Sequence, residues 1–218
     1  MLRVLLIVLA VLATATGMAS AEPSSSARKT AHAPATQSAP YMRVFGSALP
    51  PFGFVEFCER VPTECSPTGG NEARYETTPA RLSELDEVNR AVNRAIAPAT
   101  DQQLYGVAEY WTLPATSGDC EDYALLKRHI LVERGWPVSA LLITVVRDER
   151  GDGHAVLTAR TAQGDFILDN KVGTVKLWHQ TSYRYIMRQS YVDPRLWMSL
   201  APDDGSRGVP VTSLNSQR

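Results

Sequence analysis

The hydrophobic period of this chain changes once, near Pro137, and that change restricts the fold. Before it, apolar residues recur at spacings of three and four; after it, they run in strand-like blocks. Leu82, Leu85, Val88, Val92 and Ile96 mark an amphipathic helix over residues 79–97. Thr78 supplies its N-cap, Pro79 its first turn and Pro98 its end. A second helix is predicted from Cys120 to Arg134, capped by Asp119 and stopped by Gly135 and Pro137. Tyr123, Leu126, Ile130 and Leu131 form its buried face, and Gly118 permits a tight turn before the cap. Strands are then predicted at 138–147, 154–161, 166–169, 175–178 and 183–187, with turns at 148–153 and at Gln163-Gly164. Helices first and consecutive strands afterwards mean an α+β chain with an antiparallel sheet. Residues 41–57, with Pro50-Pro51 and several aromatics, read as an extended segment packed ahead of the helices.

The two ends differ from this middle. Arg3 precedes an apolar run, Val4 to Ala13, and Ala19-Ser20-Ala21 has the small-x-small pattern of a signal-peptidase site. Residues 1–21 are expected to be a cleaved export signal; an uncleaved anchor needs about 20 apolar residues, and this run is shorter. Residues 22–40 have the Ser-, Ala- and Pro-rich composition of a flexible linker. The folded domain is expected over 41–200, followed by a loose tail at 201–218. Lys plus Arg is 22 against 23 Asp plus Glu, a balance that argues against a nucleic-acid partner. In an exported chain, three cysteines suggest one disulfide and one free thiol. Cys58 and Cys65 are the natural pair, with Pro62 bending the loop between them, and Cys120 is left over.

That leftover thiol opens the second helix. Exposed backbone N–H groups and the helix dipole there favour thiolate, and the Cys120 N–H is positioned to donate to an oxyanion. His154 follows a Gly at the start of a strand, and Asp169 ends an apolar run fifteen residues later. Thiol, imidazole and carboxylate in that order supply a nucleophile, its base and the group that orients the base. Each has a plainer reading: a small packed Cys, a turn His, a turn-opening Asp. In combination, in an exported chain, the catalytic reading is the stronger.

The elements GDCEDYALLK (118–127), GHAVL (153–157) and LDN (168–170) resemble those of bacterial transglutaminase-like cysteine proteases, the group that includes the LapG-type periplasmic proteases. YWTLP (110–114) and FCERVPTEC (57–65) are similar to that group as well. The resemblance spans about residues 41–190. It implies a papain-like, transglutaminase-like core with the nucleophile helix packed on an antiparallel sheet. It implies Cys120 as nucleophile, His154 as general base and acid, and Asp169 as orienter. It further implies a periplasmic enzyme whose protein substrate is the N-terminal segment of a large surface adhesin. An inner-membrane cyclic di-GMP receptor is the implied partner.

Asp119, Glu121 and Asp122 crowd negative charge around a group that must ionise, and like charges raise a thiol pKa. Capping and dipole complementarity would explain these acids; a bound Ca²⁺, which takes carboxylate oxygens, would also neutralise them. The resemblance favours calcium at these three positions. The register of the strands raises a difficulty. With Gln163-Gly164 at the centre of a two-residue turn, Asp169 falls opposite Thr158, about 13 Å along the strand from His154. A bulge, a longer loop or strong twist would have to close that gap, and Asn170 is the fallback orienter. Trp111 is a cleft-lining or a core residue, His129 a surface residue and His179 a turn residue. The expected activity is endoproteolysis through a thioester. Acyl transfer to an amine and a non-catalytic module of the same fold are the alternatives.

Overall fold

The computed structural model describes residues 40–67 and 74–202. The expected export signal, the linker up to residue 39 and the tail from residue 203 lie outside the described residues. β4 (Leu141–Arg147) is buried along nearly its whole length, as an apolar run in a central strand should be. It pairs antiparallel with β5 (Gly153–Thr161) on one side and β8 (Arg184–Gln189) on the other. β6 (Gly164–Leu168) and β7 (Lys176–Leu177) continue the sheet beyond β5. β9 (Trp197–Ser199) and β1 (Gly46–Ala48) extend it beyond β8, which gives seven strands, all antiparallel.

Alternation along the strands sorts the core into two clusters. Val145, Leu157, Ala159, Leu168 and Met187 face the helices and pack with Tyr123, Ala124, Leu125 and Leu131. Val146, Val156, Ile167 and Tyr185 face the other way, against Met42 and Leu200. The helical layer holds α1 (Phe52–Arg60), α2 (Pro79–Ala95) and α4 (Cys120–Glu133); a short α3 (Asp101–Leu104) precedes α4. Thr78 caps α2 by accepting from the Arg81 N–H at 3.2 Å, and Pro79 opens it. Gly135, at φ 87°, ends the α4 region in the left-handed conformation that glycine adopts without strain. Cys58 and Cys65 are bonded, tying α1 to a 3₁₀ turn at Pro62–Cys65.

Three local expectations need correction. Residues 52–60 form a helix, although residues 41–57 read as extended. Phe54 and Phe57 are buried, and Phe54 meets Trp111 and Trp197 edge-on, so packing set this segment against its proline-rich start. Residues 138–140 form a 3₁₀ turn, and the strand begins at Leu141. The β5–β6 turn is centred on Ala162-Gln163, because Thr161 pairs with Gly164. Gly164 has φ 145°, and a Cβ there would fall 2.4 Å from Leu177 Cδ2, so the glycine belongs to the strand.

Candidate active site

The corrected turn moves the register by two residues and removes the 13 Å difficulty. Leu157 pairs with Leu168, so one further step sets Asp169 across from Val156. Asp169 and His154 are then diagonal neighbours on one face of the sheet, a spacing that long side chains bridge. His154 Nε2 and Asp169 Oδ1 are 2.9 Å apart, and both side chains are almost fully buried. No bulge is needed. Asn170 makes no hydrogen bond to His154, so the fallback is not used.

Asp169 is tied down elsewhere as well. Its Oδ1 accepts the Lys171 N–H at 2.9 Å, its Oδ2 accepts the Tyr183 hydroxyl at 2.5 Å, and its carbonyl accepts Asn93 Nδ2–H at 2.8 Å. Burial pushes the Asp169 carboxyl up, but the His154 hydrogen bond and charge, with Tyr183 and Lys171, outweigh it and hold the group below its usual value. Lys127, on α4, is buried and pushed down to about 7 by desolvation, which the Asp169 charge opposes.

Cys120 opens α4, half-buried and unbonded to other cysteines. The β5–β6 ladder stops at Leu157, so the edge of β5 before it has no strand partner, and the Ala155 N–H faces the Cys120 sulfur. The thiol thus lies against the residue next to His154. Its own hydrogen bond goes to Glu121 Oε2, at 3.1 Å, and none joins it to His154. Burial, the charges of Glu121 and Asp119, and that hydrogen bond push the thiol well above its ordinary value. Desolvation and the neighbouring acids thus oppose the thiolate that the helix N-terminus favours, while the Ala155 N–H acts in its favour.

The acids themselves assemble differently from the expected set. Ligand atoms of Asp101, Asp119 and Glu121 lie within 4.8 Å of one another. Asp122 turns Oδ1 to the Thr112 N–H at 2.8 Å. Asp119 occupies the N-cap position of α4 without a side-chain cap bond, which corrects its capping role. Gly118 has no left-handed backbone to explain it; a Cβ there would sit 2.5 Å from Asp122 Oδ2. Burial, first of all, pushes Asp119 up to about 6, Asp122 up to about 8 and Glu121 well above the carboxylate range. Four carboxylate oxygens, Asp101 Oδ1, Asp119 Oδ1, Glu121 Oε1 and Asp122 Oδ2, are buried without a hydrogen-bond partner.

Sequence reasoning missed Asp101. Parallel pairing of β2 (Ala97–Pro98) with β3 (Ser117–Gly118) brings the chain after residue 98 beside the chain after residue 118. The one local signal was the Thr100–Gln103 capping box, which starts α3 with Asp101 in its first turn. Trp111 is wholly buried among Phe54 and Trp197 and belongs to the core. His129 Nδ1 lies 2.7 Å from Glu64 Oε1, within hydrogen-bond distance, and His179 sits in a 3₁₀ turn.

The model of the bacterial transglutaminase-like cysteine proteinase family matches residues 44–205, well over half of the chain. No curated protein matches the sequence. Solved structures of LapG from Legionella pneumophila are similar. The calcium-bound form is 23% identical, with a TM-score of 0.47, over 62% of this chain and 77% of that one. A second LapG structure is 24% identical, with a TM-score of 0.47, over 60% of this chain and 75% of that one. The EGTA-treated form is 24% identical, with a TM-score of 0.45, over 56% and 69%. Among the described residues, no helix is long and apolar enough to cross a membrane.

Proposed function

The chain belongs to the bacterial transglutaminase-like cysteine proteinase family and is a cysteine peptidase of that type, and from this premise we propose an exported endopeptidase using Cys120, His154 and Asp169. The observation that carries the triad is the buried His154–Asp169 hydrogen bond at 2.9 Å, with the next residue's N–H on the Cys120 sulfur. Nε2 is engaged by Asp169, which leaves Nδ1 as the base. The thiol turns from Glu121, gives its proton to Nδ1, and the sulfur attacks the scissile carbonyl carbon. The Cys120 N–H, in the first turn of α4 and without an intrahelical acceptor, donates to the oxyanion. His154 returns the proton to the leaving amine, and water then hydrolyses the thioester.

Calcium is the cofactor of this reading. Buried carboxylate oxygens without hydrogen-bond partners are hard donors of the kind Ca²⁺ takes. Asp101, Asp119 and Glu121 would hold it, with Asp101 in place of Asp122 in the set read from the sequence. Bound there, it would supply positive charge beside the thiol. The family resemblance supports periplasmic location, the N-terminal segment of a surface adhesin as substrate, and an inner-membrane cyclic di-GMP receptor as partner.

The test incubates an adhesin N-terminal segment, expressed alone, with wild-type protein and with Cys120→Ala. Intact mass is read in calcium, in EGTA, and with an added free amine. One cut, absent in Cys120→Ala and in EGTA, with products bearing water and no amine, supports the proposal. Cleavage by Cys120→Ala refutes the nucleophile, full cleavage in EGTA refutes the cofactor, and an amine adduct makes the protein an acyl transferase.

A further inference from the structure

Tyr183 touches two members of the triad at once, and no step of the proposed reaction uses it. It lies in the loop before β8, outside any strand. Its hydroxyl donates to Asp169 Oδ2 at 2.5 Å, and no other described donor hydrogen-bonds that oxygen. Its ring meets the His154 imidazole edge-to-face, with centroids 5.6 Å apart and planes at 72°. Tyr183 also shares a cavity of about 60 Å³ with Asp169, Glu149, Thr174, Lys176 and Thr181. Space of that size admits water, so without the hydroxyl, water has access to Oδ2.

A carboxylate turns easily about its last torsion, which has a broad, two-fold profile. His154 and the Lys171 N–H both use Oδ1, which leaves Oδ2 as the handle that fixes the plane. We propose that Tyr183 is a positioning residue of the triad, its hydroxyl fixing the plane of Asp169 and its ring fixing the imidazole. The inference rests on the endopeptidase reading. The hydroxyl assigns each carboxylate oxygen its own partner and stands where cavity water would otherwise bond. The edge-to-face contact limits imidazole rotation about the axis that aims Nδ1. The other charged or titratable groups acting on Asp169 or Tyr183 are Lys127 from α4, Tyr185 from β8 and Glu149 from the β4–β5 turn. None of them hydrogen-bonds Oδ2.

Tyr183→Phe keeps the ring and removes the donor. Tyr185→Phe is the control, since that hydroxyl bonds Thr181 and the Trp178 carbonyl. The primary readout is the low-field NMR proton of the His154 Nε2–H···Asp169 bond. The second is the rate of Cys120 alkylation by iodoacetamide at fixed pH in calcium, with thermal unfolding recorded alongside. Tyr183→Phe is expected to exchange that proton with water at least about tenfold faster and to slow alkylation about tenfold, while Tyr185→Phe matches wild type. An unchanged low-field proton in Tyr183→Phe overturns the inference, including when only the melting temperature falls. The NMR signal does not require a reactive thiol, so the two failures separate. A wild-type Cys120 no more reactive than free cysteine overturns the endopeptidase reading and this inference with it. A reactive wild type with the signal unchanged in Tyr183→Phe overturns the inference alone.

Discussion

Replacing Asp101 by Asn removes one charge from the acidic cluster with almost no change in volume. The backbone N–H of Tyr110 bonds Asp101 Oδ2, and an Asn carbonyl accepts the same bond. Two ionised carboxylates with oxygens within 4.8 Å of each other repel by at least about 3.5 kcal/mol at an effective dielectric constant of 20. Burial pushes Asp119 up to about 6 and Glu121 well above the carboxylate range, and the Asp101–Asp119 pair is the one counted. Side-chain relaxation trims its effect on stability to about 1–2 kcal/mol. In EGTA the variant should therefore be more stable than wild type and melt about 2–8 °C higher. In calcium the order should reverse. A ligand at a hundredfold excess over its dissociation constant adds about 2.7 kcal/mol to wild type, and the variant, short of one ligand, loses most of that. Differential scanning fluorimetry of both proteins in EGTA and in calcium reads the crossover. Equal calcium shifts in the two proteins, or a variant less stable in both conditions, would refute the assignment of Asp101 to a cation site.

Two further perturbations test parts of the fold around the site. The Lys171 hydrogen bond, with the Arg150 and Asp152 N–H groups, holds Asp148 down at about 2. Its folded pKa is thus below its unfolded value, and its contribution is present above about pH 4 and lost as pH falls toward 2. Asp148→Asn should cost about 1–2 kcal/mol in urea unfolding at pH 7 and almost nothing at pH 2; an equal cost at both would refute the linkage. Gly118→Ala places a Cβ 2.5 Å from Asp122 Oδ2 and 2.7 Å from Asp122 Cβ. It should cost about 1–3 kcal/mol and slow Cys120 alkylation, by pushing Asp122 off the Thr112 N–H; wild-type stability and alkylation would show that the contact is slack.

Much of the helical layer was legible because its signals are local. The Thr78-Pro79 start, the 3–4 spacing of Leu82 to Ile96 and the stop at Gly135 each act within a turn or two of helix. The strand at 153–161 was legible for the same reason. The α1 helix was not, because it exists through Phe54 and Phe57 packing on tryptophans from distant segments, with Pro50-Pro51 arguing locally for extension. The turn was misplaced by one residue because Gly164 looked like turn chemistry and is a strand residue pressed against Leu177.

The chain itself determined which chemical groups are present and in what local setting: a thiol opening a helix, an imidazole opening a strand, a carboxylate closing one, and acids flanking the thiol. Tertiary structure decided which of them meet. A two-residue change of register made His154 and Asp169 diagonal neighbours, and parallel pairing of residues 97–98 with 117–118 carried Asp101 to Asp119 and Glu121. Burial and the neighbouring acids then oppose the local preference of the thiol, because a charge taken out of water loses its solvation.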